Sequence, residues 1–222
     1  MSADKHPRAA AMRRSLPLLA AAFLTGYLAF FAPGSARAAA FTVNSTIDAV
    51  DANPGDGACA SASGECTLRA AVQETNAMPG PNTILMPAGT YLLSIFGGFD
   101  DAAASGDLDV NDNLEINGAG AGDAVIDLGS FTSQELADFA FHVHPSAVAA
   151  VSGLTIQRAG HILSPGGGIL NEGDLTLDRS VLRKNTADSG AGVLNAGGVL
   201  TVTNSSFIEN AGGTGSPRGA AS

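Results

Sequence analysis

The chain has 222 residues, of which 21 are acidic and 11 are Lys or Arg, so its formal net charge at pH 7 is −10. An acidic surface repels nucleic acid and anionic lipid, and the composition therefore argues against both as partners. Trp is absent and aromatic residues make up only 5% of the chain, which argues against a sugar-binding site built on aromatic stacking.

The N-terminus has the layout of a secretory signal peptide. Arg13 and Arg14 precede an apolar run over residues 16–31, and small residues in an Ala-x-Ala pattern follow. The run is short for a bilayer span, which disfavours the alternative of a membrane anchor. We predict a signal peptide over residues 1–38, a secreted or cell-surface protein, and no membrane span in the mature chain. Five of the 11 basic and one of the 21 acidic residues precede residue 39, so the mature chain carries 6 against 20, a net charge of −14.

The two cysteines of the chain, Cys59 and Cys66, lie on either side of a short run of small and polar residues. In an oxidising compartment such a pair most simply forms a local disulfide. Half of a zinc site is the alternative, but no Cys or His pair follows at the spacing of zinc ligands. We predict a Cys59–Cys66 disulfide within an N-terminal region that covers residues 41–78.

A short amphipathic helix is predicted directly after the second cysteine. Thr67 is a suitable N-cap, and Leu68 and Val72 lie on one face of the helix at a spacing of four residues. Pro79 and Gly80 end the pattern. We expect Leu68 and Val72 to pack over the strands that follow, so that the helix covers an unpaired strand edge.

From residue 79 onward, short runs of aliphatic and β-branched residues alternate with Gly, Asp, Asn and Pro, which is typical of an all-β fold. Residues 167–185 align with residues 191–210, at an offset of 24 or 25 positions. A repeat of this length with three short strands predicts a solenoid, because each unit buries its apolar face only against its neighbours. The frame of a leucine-rich repeat is absent, and a propeller blade is longer. We therefore predict a parallel β-helix over residues 79–212.

Asparagines recur at fixed positions of the repeat. Asn171 aligns with Asn195, and Asn185 aligns with Asn210. Asparagines at one turn position can form ladders of side-chain amide hydrogen bonds, and we predict such ladders at both pairs. The alternative is that they are turn residues that tolerate a left-handed backbone.

Two stretches resemble known families. Residues 41–77 resemble the CSLREA domain of secreted bacterial proteins, whose motif reads here Cys66-Thr-Leu-Arg-Ala-Ala, with Arg69 kept. Thr67 and Ala70 depart from that motif, and the family's Glu is missing. The stretch NTILMPAGTYLLS and several later strands resemble right-handed β-helices of the pectin-lyase type. The resemblance implies fold and export but no particular activity, because that fold carries lyases, hydrolases and adhesins.

Two groups of oxygen-bearing side chains are candidates for a Ca²⁺ site. The first lies in the loop that precedes Cys59 and lacks the spacing of an EF-hand. The second alternates with Leu108 and Val110 along a predicted strand, which puts its oxygens on one outward face. The candidate ligands are Asp48, Asp51, Asn53 and Asp56 in the first group and Asp107, Asp109 and Asn111 in the second. The alternative in both cases is a solvated acidic surface.

No residue is assigned a catalytic role. Polysaccharide hydrolysis needs two carboxylates that converge on one bond. Lyase chemistry needs a basic residue beside an Asp cluster that holds Ca²⁺. The sequence displays neither arrangement. His142 and His144 share one face of a predicted strand, but no third metal ligand is evident, so we predict surface histidines and no cofactor other than the calcium considered above.

The sequence favours an exported, non-catalytic scaffold at the cell surface, with an extracellular polysaccharide or a surface protein as its partner. Leu68, Arg69 and Val72 are predicted to be structural. The repeat breaks at an irregular tail, residues 213–222, which indicates truncation of a longer solenoid. One alternative is therefore a polysaccharide lyase or glycoside hydrolase whose catalytic coils lie beyond residue 222. The other is an extracellular module that is stabilised by Ca²⁺.

Overall fold

The structure is a computed structural model that describes residues 38–98, 100–129, 139–160 and 165–212. The predicted signal peptide, apart from Ala38, lies outside the described residues, and so does the predicted tail. Among the residues that are described, no helix is both long enough and apolar enough to cross a membrane.

The described residues form one helix and a series of short strands. In chain order these elements are β1 Ala40–Thr42, α1 Leu68–Ala77, β2 Asn82–Met86, β3 Gly89–Leu92, β4 Leu108–Val110, β5 Leu114–Gly118, β6 Ala124–Asp127, β7 Phe141–Val143, β8 Val148–Ser152, β9 Thr155–Gln157, β10 Ile169–Asn171, β11 Asp174–Asp178, β12 Val181–Arg183, β13 Thr186–Ala187, β14 Val193–Asn195, β15 Val199–Thr203, β16 Ser206–Ile208 and β17 Ala211–Gly212. The prediction of a mostly β fold is confirmed.

Nearly all of these strands belong to three parallel sheets, which the chain visits in rotation. Sheet A has the order β1-β2-β5-β8-β11-β15, sheet B the order β16-β12-β9-β6-β3, and sheet C the order β14-β10-β7-β4. A further pair, β13 and β17, is also parallel. From β2 onward, successive strands of these three sheets lie in different sheets, and each strand therefore pairs with the strand that the chain forms one full circuit later. The prediction of parallel pairing is confirmed.

The register of the strands follows the repeat in the sequence. Ile169 pairs with Val193, 24 positions on, whereas Leu177 pairs with Val202, 25 positions on. The extra residue lies in the turn between β14 and β15, where Gly197 has a φ of +126° that a glycine adopts readily. The turn absorbs the insertion, and the inward positions therefore stay in register.

The core is formed by the inward residues of the three sheets. Leu108 and Val110 of β4 are almost fully buried, as are Ile116 of β5 and Leu182 of β12. They belong to one cluster of packed apolar side chains that also includes Val72 of the helix. Burial of such side chains stabilises a fold by about 25 cal/mol per Å² of apolar surface.

Helix α1 packs across the N-terminal part of this core. Thr67 caps it, since the Thr67 hydroxyl accepts a hydrogen bond from the N–H of Ala70 at 3.1 Å. The helix contacts β2 and β4, and Leu68 and Val72 are 2% and 0% exposed. Because β4 is the first strand of sheet C, the helix covers sheet C at that end.

Candidate functional site

The predicted disulfide is present between Cys59 and Cys66, whose Cα atoms are 5.0 Å apart. Cys66 is buried directly before helix α1. The bridge therefore joins the preceding loop to the start of the helix.

Arg69 forms a buried ion pair with Asp48, one of the calcium candidates. The Nε of Arg69 lies 2.7 Å from Oδ1 of Asp48, and the two side chains are 0% and 1% exposed. The second carboxylate oxygen of Asp48 also accepts hydrogen bonds from the N–H groups of Ser94 and Ile95, at 2.7 and 2.8 Å. The Asp48 carboxylate is thus fully engaged by donors of the chain.

The remaining donors of Arg69 bind the segment 94–107, which connects sheet B to sheet C. One terminal nitrogen donates to the carbonyls of Ala103 and Asp107, at 3.0 and 3.1 Å, and the other donates to the carbonyl of Gly106 at 2.7 Å. Arg69 therefore holds the segment against the helix. The five N–H donors of a guanidinium allow one buried Arg to bind several acceptors at once.

The other oxygens of the first calcium group serve turns of their own loop. The carboxylate of Asp51 accepts hydrogen bonds from the N–H groups of Asn53 and Ala60, at 2.8 and 2.9 Å. Asp56 accepts from the side-chain amide of Asn53 at 3.1 Å. Within the described residues, Asp48, Asp51 and Asp56 do not form a cluster of ligand atoms close enough to share one ion.

The second calcium group is not the solvated row that the alternation suggested. Leu108 and Val110 point into the core as predicted, but Asp109 between them is 0% exposed. The segment 94–107 covers the outer side of β4 at this point, since the N–H of Ala103 donates to Oδ2 of Asp109 at 2.8 Å.

The two neighbours of Asp109 in that group also differ from it. Asp107 is 4% exposed, and its carbonyl accepts the hydrogen bond from Arg69 described above. Asn111 is exposed, and its side-chain amide donates to the carbonyl of Asp101 at 2.7 Å. The three candidate ligands of this group therefore have three different environments.

Asp109 instead meets the two histidines. Register in sheet C places His142 of β7 directly beside Asp109 of β4, and His144 follows at the end of β7. Oδ1 of Asp109 lies 2.8 Å from Nε2 of His144 and 3.6 Å from Nδ1 of His142. The centroids of the two imidazole rings are 3.8 Å apart, and the ring planes are tilted by 33°. The predicted surface histidines are partly buried, with side chains that are 17% and 16% exposed.

Two further carboxylates surround these three residues. Nε2 of His142 lies 3.0 Å from a carboxylate oxygen of Glu172, the residue after β10. Nε2 of His144 lies 4.0 Å from Oδ1 of Asp101, whose side chain is 82% exposed. Burial raises the pKa of Asp109, and the hydrogen bond from His144 and the adjacent imidazoles act in the opposite direction. We call Asp109, His142 and His144 the histidine–aspartate cluster.

The sequence contains a signal for this cluster, which becomes visible only when two strands are aligned with each other. The triplets LDV in β4 and FHV in β7 each place a polar residue between two inward apolar residues. Aligning the two triplets as neighbouring strands pairs Asp109 with His142. The missing third ligand was therefore 33 residues away in the sequence and one strand away in space.

Another buried carboxylate, that of Asp127, lies on sheet B. Asp127 is 2% exposed and accepts hydrogen bonds from Nε of Arg158 at 2.8 Å, from Gln157 at 2.6 Å and from the N–H of Gly129 at 2.8 Å. Burial acts to raise the pKa of Asp127, but these hydrogen bonds outweigh it and the pKa lies below its usual value. The Asp127 carboxylate is therefore occupied by hydrogen bonds from Arg158, Gln157 and Gly129.

The two asparagine pairs behave differently from each other. Nδ2 of Asn171 donates to Oδ1 of Asn195 at 2.6 Å, which is the amide contact expected of a ladder. Oδ1 of Asn171 is buried and has no hydrogen-bond partner among the described residues. The register position before Asn171 in sheet C is Val143, whose side chain offers no donor that could continue the ladder.

Asn185 and Asn210 do not form the expected amide-to-amide bond. Oδ1 of Asn210 accepts from the backbone N–H of Asn185 at 3.1 Å, and the amide of Asn210 donates to the carbonyl of Leu182 at 2.9 Å. Neither asparagine has a positive φ; the left-handed residues are those immediately before them, Lys184 and Glu209. These asparagines therefore cap the backbone at a turn that their preceding residues make.

Comparisons with known proteins returned nothing: no family model matches the chain, and no curated protein or solved structure does.

Proposed function

We propose that residues 79–212 form a right-handed parallel β-helix of the pectin-lyase type, preceded by a CSLREA-like region over residues 41–78, and that the protein serves outside the cell as a non-catalytic scaffold. Support for the fold comes from the rotation of the chain through three parallel sheets in one register. A connection between parallel strands of one sheet is nearly always right-handed, which supports a right-handed β-helix.

The observation that supports the non-catalytic assignment is that the carboxylates of Asp48 and Asp127, both buried, are bound by other groups of the chain. Asp48 is bound by Arg69 and two backbone N–H groups, and Asp127 is bound by Arg158, Gln157 and a backbone N–H. A glycosidase needs two carboxylates that are free to reach the sugar. These two are consumed by contacts that hold loops and strands in place.

Export is supported by the disulfide and by the layout of the N-terminus. Disulfides persist in oxidising compartments and are rare in the cytosol. The strongly acidic mature chain favours a neutral or cationic partner over a polyanionic one. We therefore propose a neutral or cationic extracellular polysaccharide, or a basic patch on a surface protein, as the partner.

A reporter fusion tests export. We expect residues 1–60, fused to a reporter enzyme that is active only outside the bacterial cytoplasm, to produce activity. Deletion of residues 16–31 should abolish that activity because it removes the apolar run. Equal activity of the two fusions, or none from the intact one, would contradict export.

An activity screen tests the non-catalytic assignment. We expect the purified chain to release neither reducing ends nor unsaturated products from a panel of pectic and neutral polysaccharides. Product release that is lost in a variant of a buried carboxylate, with the fold intact by circular dichroism, would favour the lyase or hydrolase alternative.

A further inference from the structure

We propose that the histidine–aspartate cluster is a binding site for a divalent transition-metal ion, with Zn²⁺ as the reference ion. Its ligand atoms are Oδ1 of Asp109, Nδ1 of His142 and Nε2 of His144. A search of the described residues for three metal-ligating side chains with ligand atoms within 4.8 Å of one another identifies these three.

The distances suit a small tetrahedral ion. Zinc lies about 2.0–2.2 Å from nitrogen and oxygen ligands, so two ligands of a tetrahedral site are about 3.3 Å apart. Oδ1 of Asp109 is 2.8 Å from one imidazole nitrogen and 3.6 Å from the other. Shifts of a few tenths of an ångström would therefore admit the ion, which would replace the hydrogen bond between Asp109 and His144.

Each of two ligands is already oriented by a second contact. The N–H of Ala103 holds Oδ2 of Asp109 at 2.8 Å, which directs Oδ1 toward the imidazoles. Glu172 binds Nε2 of His142 at 3.0 Å, which leaves Nδ1 of His142 to face Asp109. A histidine that binds metal through one nitrogen usually donates its other N–H to a carboxylate or carbonyl, and Glu172 supplies that acceptor.

The donor set selects the class of ion. Two imidazoles and one carboxylate suit Zn²⁺ and its neighbours in the first transition row, whereas Ca²⁺ prefers six to eight oxygen ligands. Asp101, whose Oδ1 lies 4.0 Å from Nε2 of His144, is placed to complete the coordination, and its exposed side chain can also yield that position to water. The carboxylates of Asp101, Asp109 and Glu172 create a negative potential that attracts a cation.

The site joins parts of the chain that are distant in sequence. Asp109 lies on β4, the histidines lie on and just after β7, and Asp101 belongs to the segment 94–107 that covers them. A bound ion would therefore fasten this segment to the outer face of sheet C. The ion would stabilise the folded chain by binding to it and not to the unfolded chain.

Titration with metal tests the proposal. The untagged chain is stripped with a chelator and titrated with ZnCl₂ by calorimetry, with CaCl₂ as the comparison. We expect one Zn²⁺ per chain with a dissociation constant of about 1 μM or below, a higher melting temperature, and no comparable response to Ca²⁺. His144→Gln should abolish the one-to-one binding, and Glu172→Gln should weaken it by about 10- to 100-fold.

Matched variants show whether the effect belongs to this cluster. His161→Gln changes the remaining histidine of the mature chain, which lies outside the described residues, and Asp174→Asn changes an exposed carboxylate on β11. Both should bind Zn²⁺ as the unaltered chain does. Binding that survives in His144→Gln, or that is lost in His161→Gln, would overturn the assignment.

Cobalt supplies a readout on the unaltered chain, in case a variant fails to fold. Co²⁺ at a tetrahedral site of nitrogen and oxygen ligands absorbs visible light far more strongly than the hydrated ion. We expect this absorption to appear at one equivalent and to disappear when Zn²⁺ is added. No such spectrum, together with no heat on Zn²⁺ addition, would overturn the proposal and leave the cluster as a hydrogen-bonded contact.

Discussion

The two ends of the described fold differ in how well the apolar core is covered. Near the N-terminal end, helix α1 covers β4, and Leu68 and Val72 are buried. At the other end, β14, β15 and β16 are the outermost strands of their sheets within the described residues. Val202 is 40% exposed there, whereas its register partner Leu177 is 0% exposed. An inward position is therefore buried only if a neighbour lies on each side of it.

The apolar side chains of the outermost strands line a groove of about 520 Å³. Val193, Leu200 and Phe207 contribute to it and are only partly buried. Their register partners Ile169, Leu175 and Leu182 are at most 2% exposed. Similar sequences thus contribute different amounts of stability according to their place in the sheet, as expected when units are stabilised through nearest neighbours.

A charge at the helix-covered end should have the largest effect. Leu68→Asp places an unpaired carboxylate at a position that is 2% exposed, and we expect a loss of about 5 kcal/mol in the free energy of unfolding, or failure to fold. Urea denaturation followed by circular dichroism measures the loss. Val202→Asp, at an inward position of β15 that is 40% exposed, is the matched change at the end formed by β14, β15 and β16, and it should cost less than about 2 kcal/mol. Equal effects would show that the helix does not protect the core.

Loss of the buried ion pair should rank next. Arg69→Met leaves Asp48 buried without its cation, and we expect a cost of about 3–5 kcal/mol in the free energy of unfolding. The matched change near the end formed by β14, β15 and β16 is Lys184→Met. Lys184 lies 3.7 Å from Glu209, both side chains are more than 60% exposed, and the cost should be at most about 1 kcal/mol.

A double variant checks the interpretation of that result. Arg69→Met combined with Asp48→Asn should cost less than the sum of the two single variants, because the second change removes the uncompensated charge. Additive costs would instead indicate that Arg69 acts through its hydrogen bonds to segment 94–107 alone.

Truncations at two paired positions measure the difference between the ends directly. Leu182→Ala, at a position 0% exposed, should lower the free energy of unfolding by about 3 kcal/mol. Phe207→Ala removes a larger side chain at the paired position, but that side chain is only partly buried, and we expect about 1–2 kcal/mol. A larger cost for Phe207→Ala would show that the groove is covered in solution.

The smallest effect should be the dependence of stability on pH through Asp127. The pKa of Asp127 is lowered in the folded chain, so its contribution is present above the unfolded pKa of about 3.9 and is lost as pH falls through the folded value. The difference in unfolding free energy between the unaltered chain and Asp127→Asn should therefore shrink as pH falls from 7 to 3. Asp178→Asn, on the more exposed face of β11, should show a smaller change. A constant difference for Asp127→Asn would contradict a lowered pKa.

Much of the architecture was predictable from neighbouring residues. The helix after Cys66 follows from an N-cap and a four-residue apolar spacing, and the helix runs over Leu68–Ala77. Alternation along residues 107–111 correctly placed Leu108 and Val110 inward. The repeat offset anticipated the pairing of β10 with β14 and of β11 with β15. These features depend on local backbone preferences and on periodicity, which a single sequence displays.

The candidate site was less predictable, because it depends on which segments cover the sheets. Alternation directs Asp109 outward, but only the packing of segment 94–107 makes that outward position dry. The sequence predicts a structural role for Arg69, but it also places the partner of Arg69, Asp48, among the possible metal ligands. In the same way, Asn185 and Asn210 matched the repeat but bind backbone groups and not each other's amides.

The sequence by itself therefore determined the mostly β character, the repeat, the disulfide pair and the helix, since each is specified by residues close together in the chain. Only the tertiary structure decided that Asp109 meets His142 and His144, and that Arg69 reaches Asp48 and segment 94–107. Those contacts join residues 21 to 38 positions apart. They depend on strand register and on the course of a connecting segment, and neither is encoded by local propensity.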